Sequence, residues 1–290
     1  MLQTHIGLAL AAALTFASPA LAHAGDYEDP TPTLPLARAH AHNDYEHTVP
    51  LLDALGLGFT SVEADIWLVD GALLVAHDLE DVEPERTLEA LYLAPLAEIA
   101  RTGDGLIHAD FPHSVQLLID LKSEAEPTYR ALHRLLARYA DVVTVFTARG
   151  VREGAITAVI SGNRPRELME GQWLRFAGYD GRATDLGAGA PASFMPLISH
   201  NWELLFTWRG EGAFPDAENE ALQNFVNTAH ENGQRVRFWA TPDAPATREA
   251  VWRVLLAAGV DYINTDDLAG LAAFLATHDA TPSEPPLDWF

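Results

Sequence analysis

Short apolar segments alternate with segments of helical periodicity along most of the chain, and this alternation constrains the fold more than any other feature. Eight of the apolar segments predict strands, at 37–42, 60–69, 115–122, 155–162, 174–180, 195–200, 235–241 and 261–266. Helix-like stretches lie between or after them, at 49–58, 87–102, 128–140, 218–233, 247–259 and 268–278. Repeated strand–helix units of this kind are typical of an α/β protein with a parallel sheet.

Eight such units in 290 residues predict a single (β/α)₈ TIM barrel over residues 37–280. The competing fold is an open doubly wound sheet, but no G-x-G-x-x-G follows any predicted strand. Residues 71–78 are expected to form a hairpin arm behind the second strand, whereas the strand-like run 141–147 has no obvious place. Gly233 and Gly259 follow the last apolar turns of two helices and are expected to cap them in the left-handed conformation.

The two ends of the chain lack the alternation of strand-like and helix-like segments that predicts the barrel. Residues 1–22 combine an apolar run at 6–16 with Ala20-Leu21-Ala22, the small-x-small pattern of a signal-peptidase site. We therefore expect a cleaved signal peptide and a secreted or periplasmic protein, with a Pro-rich tether at 23–36 and a C-terminal tail at 281–290. No later stretch is apolar enough to predict a transmembrane helix.

Composition excludes several classes of function. The chain contains no cysteine, which rules out a disulfide framework, a thiolate zinc site and a cysteine nucleophile. Its formal charge is −23, and such a surface repels nucleic-acid phosphates over roughly 10 Å at about 0.1 M salt. We therefore expect no nucleic-acid partner, and an anionic substrate would need positive charge within its own pocket. Oligomeric state is not indicated by the sequence.

Polar residues occupy one parity on three of the predicted strands. In TSVEADIWLV the residues Glu63 and Asp65 share the face opposite to Val62, Ala64 and Ile66. The same alternation places Asp120 with Lys122 on the third strand and His40 with His42 on the first. Since these side chains lie toward the carboxyl ends of strands, they are predicted to meet at the face where such barrels hold their active sites.

Each of these patterns also has a structural interpretation. A lone Glu-x-Asp is typical of the wet face of a sheet, and the His77-Asp78 pair is typical of a turn. Three carboxylates on strands that are otherwise apolar do not fit this structural interpretation. Buried carboxylates repel one another unless a cation offsets their charge. The oxygen-only set of Glu63, Asp65 and Asp120 suits one divalent cation, Mg²⁺ or Ca²⁺. Lys122 beside Asp120 would supply the local positive charge.

These residues carry a resemblance to a known superfamily. His42-Asn43, Glu63-x-Asp65, His77-Asp78 and Asp120-x-Lys122 resemble the phosphodiesterase superfamily of glycerophosphodiester phosphodiesterases, sphingomyelinase D and phosphatidylinositol-specific phospholipase C. RFWATPD at 237–243 and GVDYINTDDL at 259–268 are similar to the closing strands of its PLC-like TIM barrel. The set looks closest to the "altered inheritance of mitochondria" protein six branch, whose substrate is uncertain. The resemblance covers roughly residues 39–275.

The resemblance implies a metal-dependent phosphoric diester hydrolase, or a lyase that forms a cyclic phosphate. Its substrates would be glycerophosphodiesters, lysophospholipids or phospholipid head groups. Glu63, Asp65 and Asp120 would hold the cation, His42 and His77 would be the acid and base, and the substrate would meet Asn43, Lys122 and Trp239. Two departures stand out: Asn43-Asp44 replaces the Arg-Gly of glycerophosphodiesterases, and Asp120-x-Lys122 replaces their Glu-x-Lys.

Two other functions stay open at this stage. A metal-dependent hydrolase of a nonphosphate substrate, resembling amidohydrolases, would use His40-x-His42 as zinc ligands with His200 and Asp266. A noncatalytic metal-binding or ligand-binding barrel would keep the carboxylates but would not need paired histidines. The role of His40 is left open, and Asn163, Asp180, His200 and Asn264 are further candidates for lining the pocket.

Overall fold

A computed structural model describes residues 33–288, and within them eight parallel strands form a closed barrel. We number them first to eighth in chain order: Leu36–Ala41, Phe59–Val69, Val115–Leu121, Ile156–Gly162, Gly178–Gly181, Leu197–Asn201, Arg235–Trp239 and Tyr262–Thr265. The barrel closes because the first strand pairs in parallel with both the second and the eighth. The predicted (β/α)₈ fold is confirmed.

The prediction of one strand over 174–180 is wrong. Leu174–Arg175 pairs instead with Val145–Thr147 in a small antiparallel sheet, which Gly150–Arg152 completes, and Gly178–Gly181 alone joins the barrel. The guanidinium of Arg175 lies over the rings of Phe146 and Phe194, which fixes this residue in the outer sheet. The same sheet accounts for the run 141–147, which had no place in the predicted barrel.

The hairpin arm is present as predicted. The second strand runs on past the barrel wall, and Ala72–Val75 turns back to pair with its end in antiparallel register. Beyond that pairing the backbone N–H of Ala76 donates to the carbonyl of Asp65 at 3.2 Å. The arm therefore returns His77 to the carboxyl end of the second strand.

Helices flank the barrel, and six of those described overlap the predicted helical stretches, whereas Arg166–Glu170 and Trp202–Leu205 were not predicted. The α-helices are Leu52–Gly56, Ala94–Thr102, Ala125–Ala137, Arg166–Glu170, Trp202–Leu205, Asp216–Glu231, Arg248–Ala257 and Leu268–His278. A π-helical turn, Glu89–Leu93, leads into the second of them, and short 3₁₀ turns occur at Asp44–Glu46, Leu79–Asp81 and Ala183–Asp185. Gly233 and Gly259 have φ of 69° and 79°, so both are left-handed as predicted.

Apolar residues form two layers of core. The outward-facing residues of the strands, such as Val62, Ala64 and Ile119, are fully buried against the helices. Inside the barrel, a separate cluster fills the space below the polar residues: Leu118, Val159, Leu197 and Tyr262. Each lies on a strand whose later inward positions are polar, so the polar side chains stand on a packed apolar floor.

The predicted signal peptide and the tether up to residue 32 lie outside the described residues, and both stay predictions. Residues 281–288 of the predicted C-terminal tail pack back onto the barrel: the carbonyl of Pro282 accepts a hydrogen bond from the N–H of Ala37, and that of Leu287 accepts from Arg235. Between residues 33 and 288, no helix is long and apolar enough to cross a bilayer.

Candidate active site

One cavity of about 230 Å³ at the carboxyl end of the barrel contains all eight residues to which the sequence assigned a catalytic, metal-binding or substrate-binding role. The predicted residues lining it are His42, Asn43, Glu63, Asp65, His77, Asp120, Lys122 and Trp239. Three further residues complete the lining, namely Ser161, Arg182 and Arg237. The eight predicted residues thus lie together around one cavity, whereas Ser161, Arg182 and Arg237 were not predicted and the roles assigned to the eight stay predictions.

Three carboxylates converge on one side of the cavity. Glu63 and Asp65 share the inward face of the second strand, and Asp120 is paired in register with Asp65 on the third. One oxygen from each lies within 4.8 Å of the other two. Among the described residues no other group of three histidine, aspartate or glutamate side chains is placed to share a metal ion.

These carboxylates carry more negative charge than their surroundings offset. Burial and the neighbouring Glu63 raise the pKa of Asp65, and burial raises the pKa of Asp120 to about 6 although Lys122 opposes the shift. The Nζ of Lys122 lies 3.0 Å from Asp65 and 3.4 Å from Asp120, so it contacts two of the three carboxylates. Buried oxygen donors with unbalanced charge fit a hard divalent cation.

Arg237 is a site residue that the sequence analysis missed. It is buried on the seventh strand, where Nη2 donates to Glu63 at 2.8 Å and Nε donates to Asn264 at 2.8 Å. Burial raises the pKa of Glu63, but the charge of Arg237 together with the neighbouring His40 and His42 outweighs burial, so the pKa is lowered. Arg237 therefore keeps Glu63 ionised and fixes one of its oxygens. In RVRFW, Arg237 lies two residues before Trp239 and so shares its face of the strand. That alternation was the signal in the sequence that Arg237 reaches the site.

Asp266, which directly follows the eighth strand, holds His42 through its carboxylate. Nδ1 of His42 lies 2.7 Å from Oδ1 of Asp266. Burial would lower the pKa of His42, but the hydrogen bond to Asp266 and the charge of Glu63 outweigh burial, so the pKa is raised. With Nδ1 engaged, Nε2 is the ring nitrogen left for other partners.

His77 is held in a similar way by Asp65 and Tyr45. Its Nδ1 lies 3.1 Å from Oδ2 of Asp65 and 3.2 Å from the hydroxyl of Tyr45. That hydroxyl also lies 2.6 Å from Asp65 and 3.0 Å from Oδ1 of Asn43. Tyr45, buried in the loop after the first strand, thus connects three predicted site residues. The sequence placed Tyr45 only in the loop expected to position His42 and Asn43, and it gave the hydroxyl no partner.

His40 belongs to the barrel core. Its ring is fully buried, Nδ1 lies 2.7 Å from the hydroxyl of Ser61, and burial lowers its pKa to about 4. It does not line the cavity, and neither does His200, whose Nδ1 accepts from the N–H of Ala183. The amidohydrolase-like set of zinc ligands is therefore not assembled, because two of its histidines point elsewhere.

Three other candidates for lining the pocket lie just behind it. Asn264 pairs with Arg237, Asp180 is buried beneath Arg182, and the amide of Asn163 donates to the carbonyl groups of Lys122 and Ser123 at 3.1 and 3.0 Å. Asn163 therefore ties the end of the fourth strand to the end of the third. All three support residues that line the cavity rather than lining it themselves.

Comparison with known proteins identifies the family. The description "AIM6-like phosphodiesterase domain" matches residues 31–180, more than half of the chain, and "Glycerophosphoryl diester phosphodiesterase family" matches residues 235–269. The first match contains the carboxylates, both histidines and Lys122. The chain belongs to the AIM6-like phosphodiesterase family. The predicted resemblance is confirmed.

Relatives in this family are similar over most of their length. Altered inheritance of mitochondria protein 6 of Eremothecium gossypii is 32% identical over 270 residues, covering 82% of this chain and 69% of that protein. The Kluyveromyces lactis protein of the same name is 29% identical, covering 82% and 72%. Among solved structures, a glycerophosphoryl diester phosphodiesterase from Parabacteroides distasonis has a TM-score of 0.49 at 15% identity, covering 85% of this chain and 87% of that chain.

In this AIM6-like protein the loop after His42 is anchored by a buried acid. Oδ2 of Asp44 accepts from the N–H of Leu51 at 2.6 Å and from the hydroxyl of Tyr92 at 2.8 Å. Burial raises the pKa of Asp44 from its ordinary value of 3.8 to about 6. The stabilisation that Asp44 contributes is therefore complete at pH values below its pKa in the unfolded chain. It is lost as the pH rises through the pKa of Asp44 in the folded protein.

Replacing Asp44 by asparagine should remove this pH dependence. Between about pH 4 and pH 7.5 the wild type should lose up to about 3 kcal/mol of unfolding free energy relative to Asp44→Asn. Urea unfolding of both proteins at the two pH values measures the difference. A gap between the two proteins that does not change with pH contradicts the assignment.

Proposed function

We propose that this protein is a metal-dependent phosphoric diester hydrolase, or a lyase forming a cyclic phosphate, that acts on glycerophosphodiesters, lysophospholipids or phospholipid head groups. Family membership and the barrel support a phosphodiesterase activity. The observation that carries the finer proposal is that one cavity joins three buried carboxylates, two histidines and Lys122. Each histidine has a carboxylate partner on Nδ1.

Glu63, Asp65 and Asp120 would hold one divalent cation, Mg²⁺ or Ca²⁺, because their oxygens converge and their charge is not balanced by Lys122 alone. Bound there, the cation supplies positive charge that stabilises negative charge developing on a phosphoryl oxygen. Arg237 prepares Glu63 for this task by holding one of its oxygens.

His42 and His77 move the protons of the reaction. Since Asp266 and Asp65 occupy the Nδ1 positions, each ring uses Nε2 toward the substrate. One histidine takes the proton of the attacking oxygen as the new bond to phosphorus forms, and the other protonates the leaving oxygen as its bond breaks. Attack by water gives two open products, whereas attack by a neighbouring hydroxyl of the substrate gives a cyclic phosphate.

The remaining cavity residues bind the substrate. Lys122 and Asn43 contact the phosphate, and Trp239 forms the wall on the side of the leaving group. Asn43 has φ of 48°, a left-handed conformation that asparagine tolerates better than most residues, and its side-chain oxygen lies 3.0 Å from the hydroxyl of Tyr45. The amide N–H groups of Asn43 are the donors that this side chain offers to the phosphate.

Asp266→Asn should shift the pH dependence of kcat/KM. Because the hydrogen bond to Asp266 raises the pKa of His42, its loss should move the limb of the profile that belongs to His42 toward lower pH. The exposed Asp288→Asn is the control and should leave the profile unchanged. Profiles of wild type and both variants decide the matter, and an unshifted profile for Asp266→Asn contradicts this role of Asp266.

Assay of the purified protein against bis(p-nitrophenyl) phosphate with Mg²⁺ or Ca²⁺ tests the proposed function. Release of p-nitrophenol that depends on the cation supports it. Cation binding without hydrolysis of this ester or of lysophospholipids would favour the noncatalytic binding barrel instead.

A further inference from the structure

Arg182 is a cavity-lining cation for which the proposed reaction has no use. It directly follows the fifth strand, Gly178–Gly181, and lines the same cavity as Lys122. In a closed barrel of eight strands, the fifth lies opposite the first, which carries His42. The guanidinium therefore stands across the cavity from one of the two reacting histidines.

A buried carboxylate fixes this guanidinium. Asp180 is fully buried, and its Oδ2 accepts from Nη1 of Arg182 at 2.5 Å, from Ser199 at 2.6 Å and from Ser161 at 2.8 Å. Nη2 of Arg182 also donates to the hydroxyl of Ser161 at 3.1 Å. Because Asp180 does not line the cavity, the ion pair presents its positive end to a ligand. The ordering of the long side chain is already achieved before any ligand binds.

Arg182 keeps donors for a ligand. Ser161 takes one N–H of Nη2, and within residues 33–288 Nε makes no hydrogen bond. A guanidinium with two free N–H groups matches the two oxygens of a carboxylate, and such charge-assisted pairs are stronger than neutral hydrogen bonds.

Lys122, the positive side chain proposed to contact the phosphodiester, lies on another side of the cavity from Arg182. Lys122 stands among the carboxylates of the second and third strands, and Ser161 on the fourth strand lies between that group and Arg182. We propose that Arg182 binds a carboxylate on the substrate's head group, so that the site selects carboxylate-bearing phosphodiesters over those whose head group is only cationic. This inference rests on the proposed phosphodiesterase function.

The matched substrates glycerophosphoserine and glycerophosphoethanolamine test it, because they differ by one carboxylate and share the ammonium group. The wild type should have a kcat/KM for the serine compound about tenfold to hundredfold above that for the ethanolamine compound. Arg182→Gln should bring this ratio close to one. Arg182→Lys, which keeps a charge opposite Asp180 and is the safer variant for folding, should reduce the ratio. Circular dichroism confirms that each variant folds.

Arg101→Gln is the matched control, because Arg101 forms an exposed ion pair with Asp141 remote from the cavity, and it should keep the wild-type ratio. A wild-type ratio near one overturns the inference and leaves the phosphodiesterase function intact. A parallel loss with both substrates and with bis(p-nitrophenyl) phosphate in the Arg182 variants also overturns it, since Arg182 would then bind the phosphodiester. No hydrolysis of any of the three esters by the wild type overturns the proposed function itself.

Discussion

His42→Ala and His77→Ala are each expected to lower kcat by about 10²–10⁴-fold, the range that a positioned general acid or base contributes. The physical reason is that each ring is held at Nδ1 by a carboxylate, and among the described residues no third histidine lines the cavity to replace either one. Kinetics with a phosphodiester at saturating cation measure the loss, and circular dichroism verifies the fold. KM should change less than kcat, because the histidines act mainly in the transition state.

His278→Ala provides a matched control for these variants. This histidine ends the last helix, stacks on Phe274 and takes no part in the cavity. It should retain wild-type kcat. Near-normal turnover in either His42→Ala or His77→Ala contradicts the two-histidine scheme, whatever the control shows.

Removing the divalent cation should abolish turnover and lower thermal stability. A cation at a hundred times its dissociation constant stabilises the folded state by about 2.7 kcal/mol, which a rise in Tm reports without any substrate. Asp120→Asn replaces one of the three converging carboxylates, so it should lose both the activity and most of the Tm rise with Mg²⁺ or Ca²⁺. Thermal unfolding with and without the cation, after treatment with a chelator, provides the measurement.

Asp141→Asn is the control for the loss of one negative charge. Asp141 is an exposed partner of Arg101, so the variant should keep the cation-dependent Tm rise. Full activity of the wild type in excess chelator, or an Asp120→Asn variant that keeps both activity and the rise, contradicts the carboxylate site.

Strand periodicity explains why most of the site could be predicted. Side chains alternate between the two faces of a strand, so apolar Val62, Ala64 and Ile66 assign Glu63 and Asp65 to the barrel interior. The same rule applied to the third strand brings Asp120 beside Asp65, as the observed register shows. Local sequence was sufficient there because the facing direction is a property of the strand itself.

The partners of these residues depend on distant parts of the chain. Asp266 and Arg237 reach their partners across 224 and 174 residues of sequence, and parity alone does not specify which side chains meet. Tyr45 lies in a loop without periodicity, where no rule assigns a direction to the hydroxyl. The fifth strand was predicted too long because LRFAGYD at 174–180 reads as one continuous strand-like run. The pairing and packing of Arg175 against Phe146 in the outer sheet separate its two ends.

³¹P NMR of a glycerophosphodiester incubated with the purified wild type is the most direct test of the account. In the presence of Mg²⁺ or Ca²⁺ the phosphodiester signal should be replaced by that of a phosphomonoester or a cyclic phosphate, and excess chelator should prevent the change. The identity of the product distinguishes attack by water from attack by a substrate hydroxyl. An unchanged phosphodiester signal with the cation bound would contradict the central claim that the carboxylates and the two histidines form a phosphodiesterase site.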